Sequence, residues 1–301
     1  MKNIKLIIWS VALYLFHSVA MAQINVFACE PEWASLTKEL AGENAKVFSA
    51  TTALQDPHRI QARPSLIAKM GRADMVVCSG ADLEVGWLPL LLRSSGNGKV
   101  QAGQPGYVET SLLVDRLEIP QQVDRSMGDV HAAGNPHVHL DPRRVARIAR
   151  QLGDRLAIVD ASHAQDYQTR TQDFLQRWQQ RTAEWQSQVA PLKGVKVVVH
   201  HKDWVYLFDW LGIKEIATLE PKPGVPPSAG HLAKLKRQLE SSPAKLVIRA
   251  AYQDANASNW LQEHADVTAV ELPFTVGGSD KAKDLFGLMD DTVRRLLEAV
   301  Q

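Results

Sequence analysis

The chain has 301 residues, 45% hydrophobic and 22% charged, which is enough for two globular domains of roughly 100–150 residues each. Its 34 basic and 33 acidic side chains give a formal net charge of +1, which provides no broad field to attract nucleic acid or a membrane surface. Neither of these partners is therefore expected.

Residues 1–22 have the pattern of a secretory signal peptide. Lys2 and Lys5 precede an apolar run from Leu6 to Phe16, and Ala20-Met21-Ala22 places small residues before a cleavage point. The apolar run is shorter than the ~20 residues that cross a bilayer. We therefore expect a free periplasmic protein after cleavage, the alternative being a buried helix.

Short continuous apolar runs alternate with amphipathic stretches along the rest of the chain. Such runs are typical of strands buried on both faces, so the pattern predicts a parallel α/β architecture. The predicted strands are 24–28, 46–49 and 75–78 in the first half, and 195–199, 246–249 and 268–271 in the second. Residues 93–134, rich in Gly, Ser and Gln, are expected to form a long, partly irregular excursion from the first half.

The two cysteines, Cys29 and Cys78, stand at the ends of two predicted strands. If these parallel strands are neighbours, their matching ends place the two sulfur atoms within bridging distance. Export would also bring them into an oxidising compartment, where disulfides persist. A Cys29–Cys78 disulfide is therefore predicted, with two separate buried thiols as the alternative.

A polar stretch from about Ser162 to Val189 predicts one long helix. Its large apolar residues recur at intervals of seven and four, which places them on one helical face. They are Tyr167, Phe174, Trp178, Trp185 and Val189. We interpret residues 159–190 as a rigid connector between an N-terminal lobe, 23–158, and a C-terminal lobe, 191–301. A surface helix of one large domain is the alternative.

Histidines suited to metal binding occur in two loops of the first half. His58 follows Asp56-Pro57, and the segment Asn135-Pro136-His137-Val138-His139 forms a rigid turn whose histidines share a side if it is extended. Neutral imidazole is a good zinc ligand. The alternatives are a solvated surface histidine at His58, and packing and hydrogen bonding for the other two.

In the second half, His200 and His201 directly follow the predicted strand 195–199. The carboxyl end of a central strand opens at the sheet edge where α/β folds bind ligands. One imidazole of the pair can face this crevice while its neighbour points away. We assign His201 as the ligand and His200 as its structural partner.

Taken together, these motifs resemble the zinc and manganese binding proteins of ABC importers, along essentially the whole mature chain. The likeness rests on Asp56-Pro57-His58 with Pro64-Ser65, on Ala73-Asp74 through Gly80 with Glu84 and Trp87, on Asn135-Pro136-His137 with Leu140-Asp141-Pro142, and on His201 with Trp204 and Tyr206. The resemblance implies an α/β fold of two lobes, each with a parallel sheet flanked by helices, joined by one long rigid helix. The metal site would lie between the lobes.

The resemblance also implies that His58, His137 and His201 bind the metal. Manganese-binding members resemble one another in having a carboxylate at the third position, whereas zinc binders have histidine there. Three imidazoles suit Zn²⁺ better than Mn²⁺, which prefers oxygen ligands. Zinc, bound as the transported ion, is therefore expected.

Several residues are open for the fourth ligand. The late aspartate of the family is expected near Phe274 to Asp280, which makes Asp280 our choice. His139, His131 or a water molecule are the alternatives. Asp56 and Asp141 are expected either to orient the imidazole rings or to cap a helix or turn.

The function implied by the resemblance is periplasmic zinc capture and delivery to the membrane permease and ATPase of an ABC importer. The protein would be a monomer without enzymatic activity, and a zinc chaperone is a further partner to consider. Many zinc members carry a long His/Asp-rich loop in the first lobe, whereas residues 93–134 here contain only His131. The alternatives are a manganese receptor, a binder of chelated metal or haem, and a secreted zinc hydrolase, although neither a His-Glu-x-x-His helix nor a nucleophile elbow is present.

Overall fold

A computed structural model describes residues 23–124 and 127–301, in which eight strands and nine helices form two lobes. The predicted signal peptide, residues 1–22, lies outside the described residues. Within the described ranges, none of the helices combines the length and apolar character needed to cross a membrane.

The first lobe is built on a parallel sheet with the strand order β2-β1-β3-β4. Its strands are β1 (Ile24–Ala28), β2 (Ala45–Ser49), β3 (Met75–Cys78) and β4 (Tyr107–Glu109). Its helices are α1 (Pro31–Ala41), α2 (Pro64–Met70), α3 (Leu88–Ser95) and α4 (Pro142–Val159). Val26 and Val77 belong to the core that contains α1 and α4, whereas Phe27 and Val76 belong to the core that contains α2 and α3. Both faces of the sheet are thus covered, which is why these strands are continuously apolar.

The second lobe repeats the arrangement, with the parallel strand order β6-β5-β7-β8. Its strands are β5 (Lys196–Val199), β6 (Lys214–Thr218), β7 (Leu246–Ala250) and β8 (Thr268–Leu272). Its helices are α6 (Val205–Leu211), α7 (Ala229–Ser241), α8 (Asn256–His264) and α9 (Leu285–Val300). The two-lobe α/β prediction is confirmed. Strands β4 and β6 were not predicted, because Tyr107–Glu109 has only three residues and Lys214–Thr218 mixes polar and apolar side chains.

Helix α5 (Ala164–Gln188) runs between the two lobes and contacts both. Its aromatic face is buried, and two indoles of that face donate hydrogen bonds, one to each lobe. Trp178 Nε1 donates to the carbonyl oxygen of Pro142 in the first lobe, and Trp185 Nε1 donates to Asp290 in the second. The long connecting helix is thus present, while the limits assigned to the two lobes remain predictions.

Cys29 and Cys78 are joined by a disulfide bond, with their Cα atoms 4.8 Å apart. Strands β1 and β3 pair in parallel, with Ala28 opposite Val77, so the next residue of each strand falls beside the other. The predicted disulfide is confirmed, and it ties together the carboxyl ends of two central strands.

Candidate metal centre

His58 lies in a short 3₁₀ turn, Pro57–Arg59, in the segment that follows β2 of the first-lobe sheet. Oδ1 of Asp56 accepts a hydrogen bond from the backbone N–H of His58 and lies 2.8 Å from its Nδ1. Trp87 Nε1 donates to the carbonyl oxygen of Pro57 and holds the turn in place. The ring therefore presents Nε2, which lies 3.2 Å from Nε2 of His131.

His137 is almost fully buried, at the end of a turn shaped by Asn135. The side-chain oxygen of Asn135 accepts a hydrogen bond from the backbone N–H of His137. Asn135 also contacts the second lobe, since its Nδ2 donates to the carbonyl oxygen of Lys202 and its own carbonyl accepts from the hydroxyl of Tyr206. The turn that carries His137 is thus fixed by contacts across the two lobes.

His201 follows β5 and comes from the second lobe. Its Nδ1 lies 2.6 Å from Oε2 of Glu220, and its Nε2 lies 3.8 Å from Oδ1 of Asp203. A carboxylate that accepts the Nδ1 proton fixes the tautomer and leaves Nε2 free for a metal ion. Glu220 thus holds His201 in the second lobe as Asp56 holds His58 in the first.

Asp203 places a fully buried carboxylate beside these rings. Its Oδ2 accepts a hydrogen bond from Gln253 Nε2 at 2.8 Å. Its Oδ1 has no hydrogen-bond partner among the described residues and lies 3.5 Å from Nε2 of His137. An unsatisfied buried carboxylate oxygen is costly, and a bound cation would remove that cost.

The side chains form two overlapping groups that share His137: one with His58 and His131, the other with His201 and Asp203. In each group one ligand atom per residue lies within 4.8 Å of the others. The ring centroid of His58 lies 5.2, 5.8 and 5.6 Å from those of His131, His137 and His201. Tetrahedral zinc with Zn–N bonds of about 2.0–2.1 Å needs nitrogens about 3.3 Å apart, so shifts of roughly 1 Å would complete a site.

The imidazoles differ in charge. Burial, together with the neighbouring imidazoles of His58 and His201, lowers the pKa of His131 to about 3. Burial and the adjacent rings also hold the pKa of His137 well below its usual value. Burial opposes protonation of His201 too, but Asp203 and Glu220 raise the pKa of His201 to about 9. At neutral pH, His131 and His137 are therefore ready to bind a metal, whereas His201 must first lose a proton.

Asp280, the predicted fourth ligand, is exposed and lies outside both groups. Two hydrogen bonds outside the histidine cluster hold the turn that precedes Asp280. Gly277 N donates to the carbonyl oxygen of Ala282, and Ser279 Oγ donates to Asp291 Oδ2. The first bond closes the turn, and the second connects it to α9. In this structure, the positions beside the three predicted histidines are taken by His131 and Asp203.

His139 and Asp141 have structural contacts instead of a place in the cluster. His139 Nε2 lies 3.0 Å from the carbonyl oxygen of Phe274, and its Nδ1 lies 3.3 Å from Glu32 Oε1. Asp141 accepts from the backbone N–H of Arg143 and caps α4. Asp56 therefore both caps the turn Pro57–Arg59 and contacts the His58 ring, whereas Asp141 caps α4.

Asp203 and Glu220 were not predicted from the sequence to lie at the cluster. Asp203 stands two residues after His201, a spacing that places side chains on one side of an extended segment. That spacing was the available signal for Asp203. Glu220 is nineteen residues away from His201 along the chain, and nothing in the sequence alone links the two.

A cavity of about 600 Å³ adjoins the cluster, with His131, His137 and His201 in its wall. Lys202 and Pro223 of the second lobe and Ile119 of the first also line it. The imidazoles are thus buried in the protein yet reachable from this side.

The family model described as "Zinc-uptake complex component A periplasmic" (ZnuA) matches residues 26–299. Among curated relatives, the zinc-binding lipoprotein AdcA of Streptococcus pneumoniae is 25% identical over 272 residues, covering 87% of this chain and 52% of the relative. The high-affinity zinc uptake system protein ZnuA of Bacillus subtilis is 21% identical over 215 residues, 70% of this chain and 66% of the relative. The manganese ABC transporter substrate-binding lipoprotein PsaA of Streptococcus anginosus is 24% identical over 151 residues, 50% of this chain and 47% of the relative.

The chain spans about half the length of the first and third of these relatives. Among solved structures, a crystal structure of ZnuA superposes with a TM-score of 0.77 at 19% identity, covering 93% of this chain and 100% of that one. A manganese-bound periplasmic metal binding protein from Candidatus Liberibacter asiaticus gives a TM-score of 0.74 at 15% identity, with the same coverage. The superpositions show a shared fold, and the family match covers nearly the whole described chain. The chain belongs to the ZnuA family of periplasmic zinc-uptake components.

Proposed function

We propose that this protein captures Zn²⁺ in the periplasm and delivers it to an ABC-type importer. The observation that carries the proposal is the clustering of His58, His131, His137 and His201 between the lobes. Family membership and two relatives named for zinc binding or zinc uptake support the same conclusion. The ion is the transported ligand, so the protein acts as a receptor and not as an enzyme.

In this proposal His58, His137 and His201 are ligands, as expected from the sequence, and His131 takes the place that Asp280 was expected to fill. Four neutral imidazoles suit zinc, and the buried carboxylate of Asp203 offsets the charge of the ion. Asp56 and Glu220 keep the Nδ1 atoms of two rings occupied, so that Nε2 binds the metal.

The division of ligands between the lobes fits a protein that must also release its ion. Three of the histidines belong to the first lobe, whereas His201 and the nearby Asp203 belong to the second. A small separation of the lobes therefore breaks contacts to the ion from one side at once. The permease and ATPase of the importer would drive this separation. The proposal further includes that the protein acts as a monomer, that a zinc chaperone loads it and that residues 1–22 are removed.

Manganese is the second candidate, because one relative is named for manganese transport and Asp203 offers an oxygen at the cluster. Mass spectrometric metal analysis of the protein isolated from the periplasm separates the two, because at equal concentrations in vitro most nitrogen and oxygen sites prefer Zn²⁺ to Mn²⁺ whatever ion they carry in the cell. We expect about one zinc per chain and little manganese. Equal occupancy, or a preference for manganese, would contradict the zinc assignment.

A further inference from the structure

Two glycines from opposite lobes meet beside the metal cluster. Gly128 of the first lobe has a φ of +84°, and a Cβ atom there would lie 2.3 Å from the carbonyl oxygen of Pro223. Gly224 of the second lobe has a φ of +77°, and a Cβ atom there would lie 2.1 Å from Oδ2 of Asp129. A side chain at Gly128 would push the two backbones apart, whereas one at Gly224 would displace the Asp129 side chain. The left-handed backbone also favours glycine at both positions.

Hydrogen bonds reinforce this approach of the two backbones. The backbone N–H of Asp129 donates to the carbonyl oxygen of Pro223 at 2.9 Å. Arg59, next to the ligand His58, donates to the carbonyl oxygen of Gly224 at 3.1 Å and lies 3.5 Å from the Asp129 carboxylate. We call the contact of Gly128-Asp129 with Pro223-Gly224 the interlobe latch.

On each side, the latch is connected to a proposed ligand through hydrogen bonds or adjacent residues of the chain. In the second lobe, Glu220 Oε2 accepts from the backbone N–H of Gly224 and also contacts Nδ1 of His201. In the first lobe, a tight turn in which Val130 N donates to the carbonyl oxygen of Gly128 precedes His131. The backbone of Ala81 also forms a hydrogen bond with the His131 ring. A shift of the latch would therefore displace His131 relative to His201.

We infer that the interlobe latch positions His131 at the ion and so sets the rate of zinc release, with Gly128 as its central positioning residue. The inference rests on the proposed function. When the lobes separate, the latch and the bond from His201 to the ion break together, because both cross from one lobe to the other. With the latch disrupted, His131 leaves the ion while the lobes are still closed, and zinc escapes sooner.

The test is the rate of zinc dissociation from the full chain into excess chelator, measured by stopped flow. The key variant is Gly128→Ala, with Gly103→Ala as its matched control, since Gly103 has a φ of +86° but nothing within 4 Å of an added Cβ. Both variants strain the backbone, but only Gly128→Ala disturbs the latch. We expect release to be about 10–100-fold faster in Gly128→Ala, as for other residues that hold a metal ligand in place, and near the wild-type rate in Gly103→Ala.

A second pair of variants tests the same inference if Gly128→Ala does not fold. Gly224→Ala disturbs the other side of the latch, and Gly194→Ala is its control, with a φ of +79° and nothing within 4 Å. The expected acceleration is smaller in Gly224→Ala, because the Asp129 side chain can rotate away from a new methyl group. Folding of every variant is checked by circular dichroism.

A double variant decides whether the latch acts through His131. In a His131→Ala background, Gly128→Ala should produce no further acceleration, since coupled residues are not additive. The inference is overturned if Gly128→Ala releases zinc as slowly as Gly103→Ala, or if its full effect persists without His131. Failure of the wild type to bind zinc would instead contradict the proposed function, and the two failures are thus distinct.

Discussion

The carboxylate of Glu220 lies 2.6 Å from Nδ1 of His201 and links this ring to the second-lobe turn at Gly224. The side chain of Glu220 thus connects a proposed metal ligand to the interlobe latch. The same geometry occurs in the first lobe, where Asp56 lies 2.8 Å from Nδ1 of His58. A carboxylate therefore sets the orientation of one ring in each lobe.

Glu220→Ala should weaken zinc binding by about 10–100-fold, because His201 loses the acceptor that orients its ring. Zinc affinity is measured by competition with a chromophoric chelator. Glu240→Ala, at an exposed position on α7, is the control and should bind zinc like the wild type. Glu220→Gln should recover part of the affinity, since an amide oxygen still accepts from Nδ1–H. Equal affinity in Glu220→Ala and the wild type would show that His201 needs no such support.

Zinc binding at neutral pH should release about one proton, which comes from His201. The pKa of His201 is raised to about 9 by Asp203 and Glu220 against the effect of burial, so the ring carries a proton at pH 7 that zinc must displace. The lowered pKa values of His131 and His137 leave those rings neutral, so they contribute no proton.

Apparent zinc affinity should accordingly rise between pH 7 and 9 by up to about tenfold per pH unit, and level off above the pKa of His201. Calorimetric titration in buffers of different ionisation enthalpy counts the protons directly. A count near zero at pH 7, or an affinity that does not change between pH 7 and 9, would contradict this charge state of the metal-free site.

Removal of the Cys29–Cys78 disulfide should lower the free energy of unfolding by roughly 2–5 kcal/mol. The bond closes a loop of 49 residues between β1 and β3, and without it the unfolded chain gains conformational freedom. Thermal unfolding of a Cys29→Ser/Cys78→Ser variant measures the change. Zinc stoichiometry should stay near one per chain, since neither sulfur belongs to the histidine cluster. A variant as stable as the oxidised wild type would be the contrary result.

Thr275→Val should destabilise the metal-free protein by about 1–3 kcal/mol, because it removes a buried hydrogen bond between the lobes. The hydroxyl of Thr275, after β8, donates to Oε2 of Glu32 on α1, and both residues are buried. Valine keeps the shape but leaves the carboxylate oxygen without its donor. Thr268→Val on the exposed side of β8 is the control, and equal melting temperatures for the two variants would argue against this bond.

The central strands of both sheets, the edge strands β2 and β8, and the long helix could be predicted from the sequence, because their apolar patterns depend on local burial. Strands β4 and β6 escaped prediction, since Tyr107–Glu109 is only three residues long and Lys214–Thr218 mixes polar and apolar residues. The disulfide was predictable because parallel neighbours such as β1 and β3 end at the same level.

Candidate ligands could be predicted from the sequence only where a histidine stands in a fixed relation to a strand end or a rigid turn, and their role as ligands stays a prediction. His58, His137 and His201 satisfy this condition. His131 lies in a long irregular segment whose position depends on contacts with Pro223 in the other lobe, so its sequence neighbours carry little information. Asp280 is expected from the family resemblance alone, and the hydrogen bonds of Gly277 and Ser279 in the turn before it depend on residues further along the chain.

The most direct test of the account is the anomalous diffraction signal at the zinc absorption edge from crystals of the zinc-loaded protein. We predict one strong peak between the lobes, with Zn–N distances of about 2.0–2.1 Å to His58, His131, His137 and His201. A peak bound by Asp280 in place of His131 would restore the ligand expected from the sequence and remove the basis of the latch. A peak away from the histidine cluster, or none, would contradict the central claim that this cluster is the zinc site.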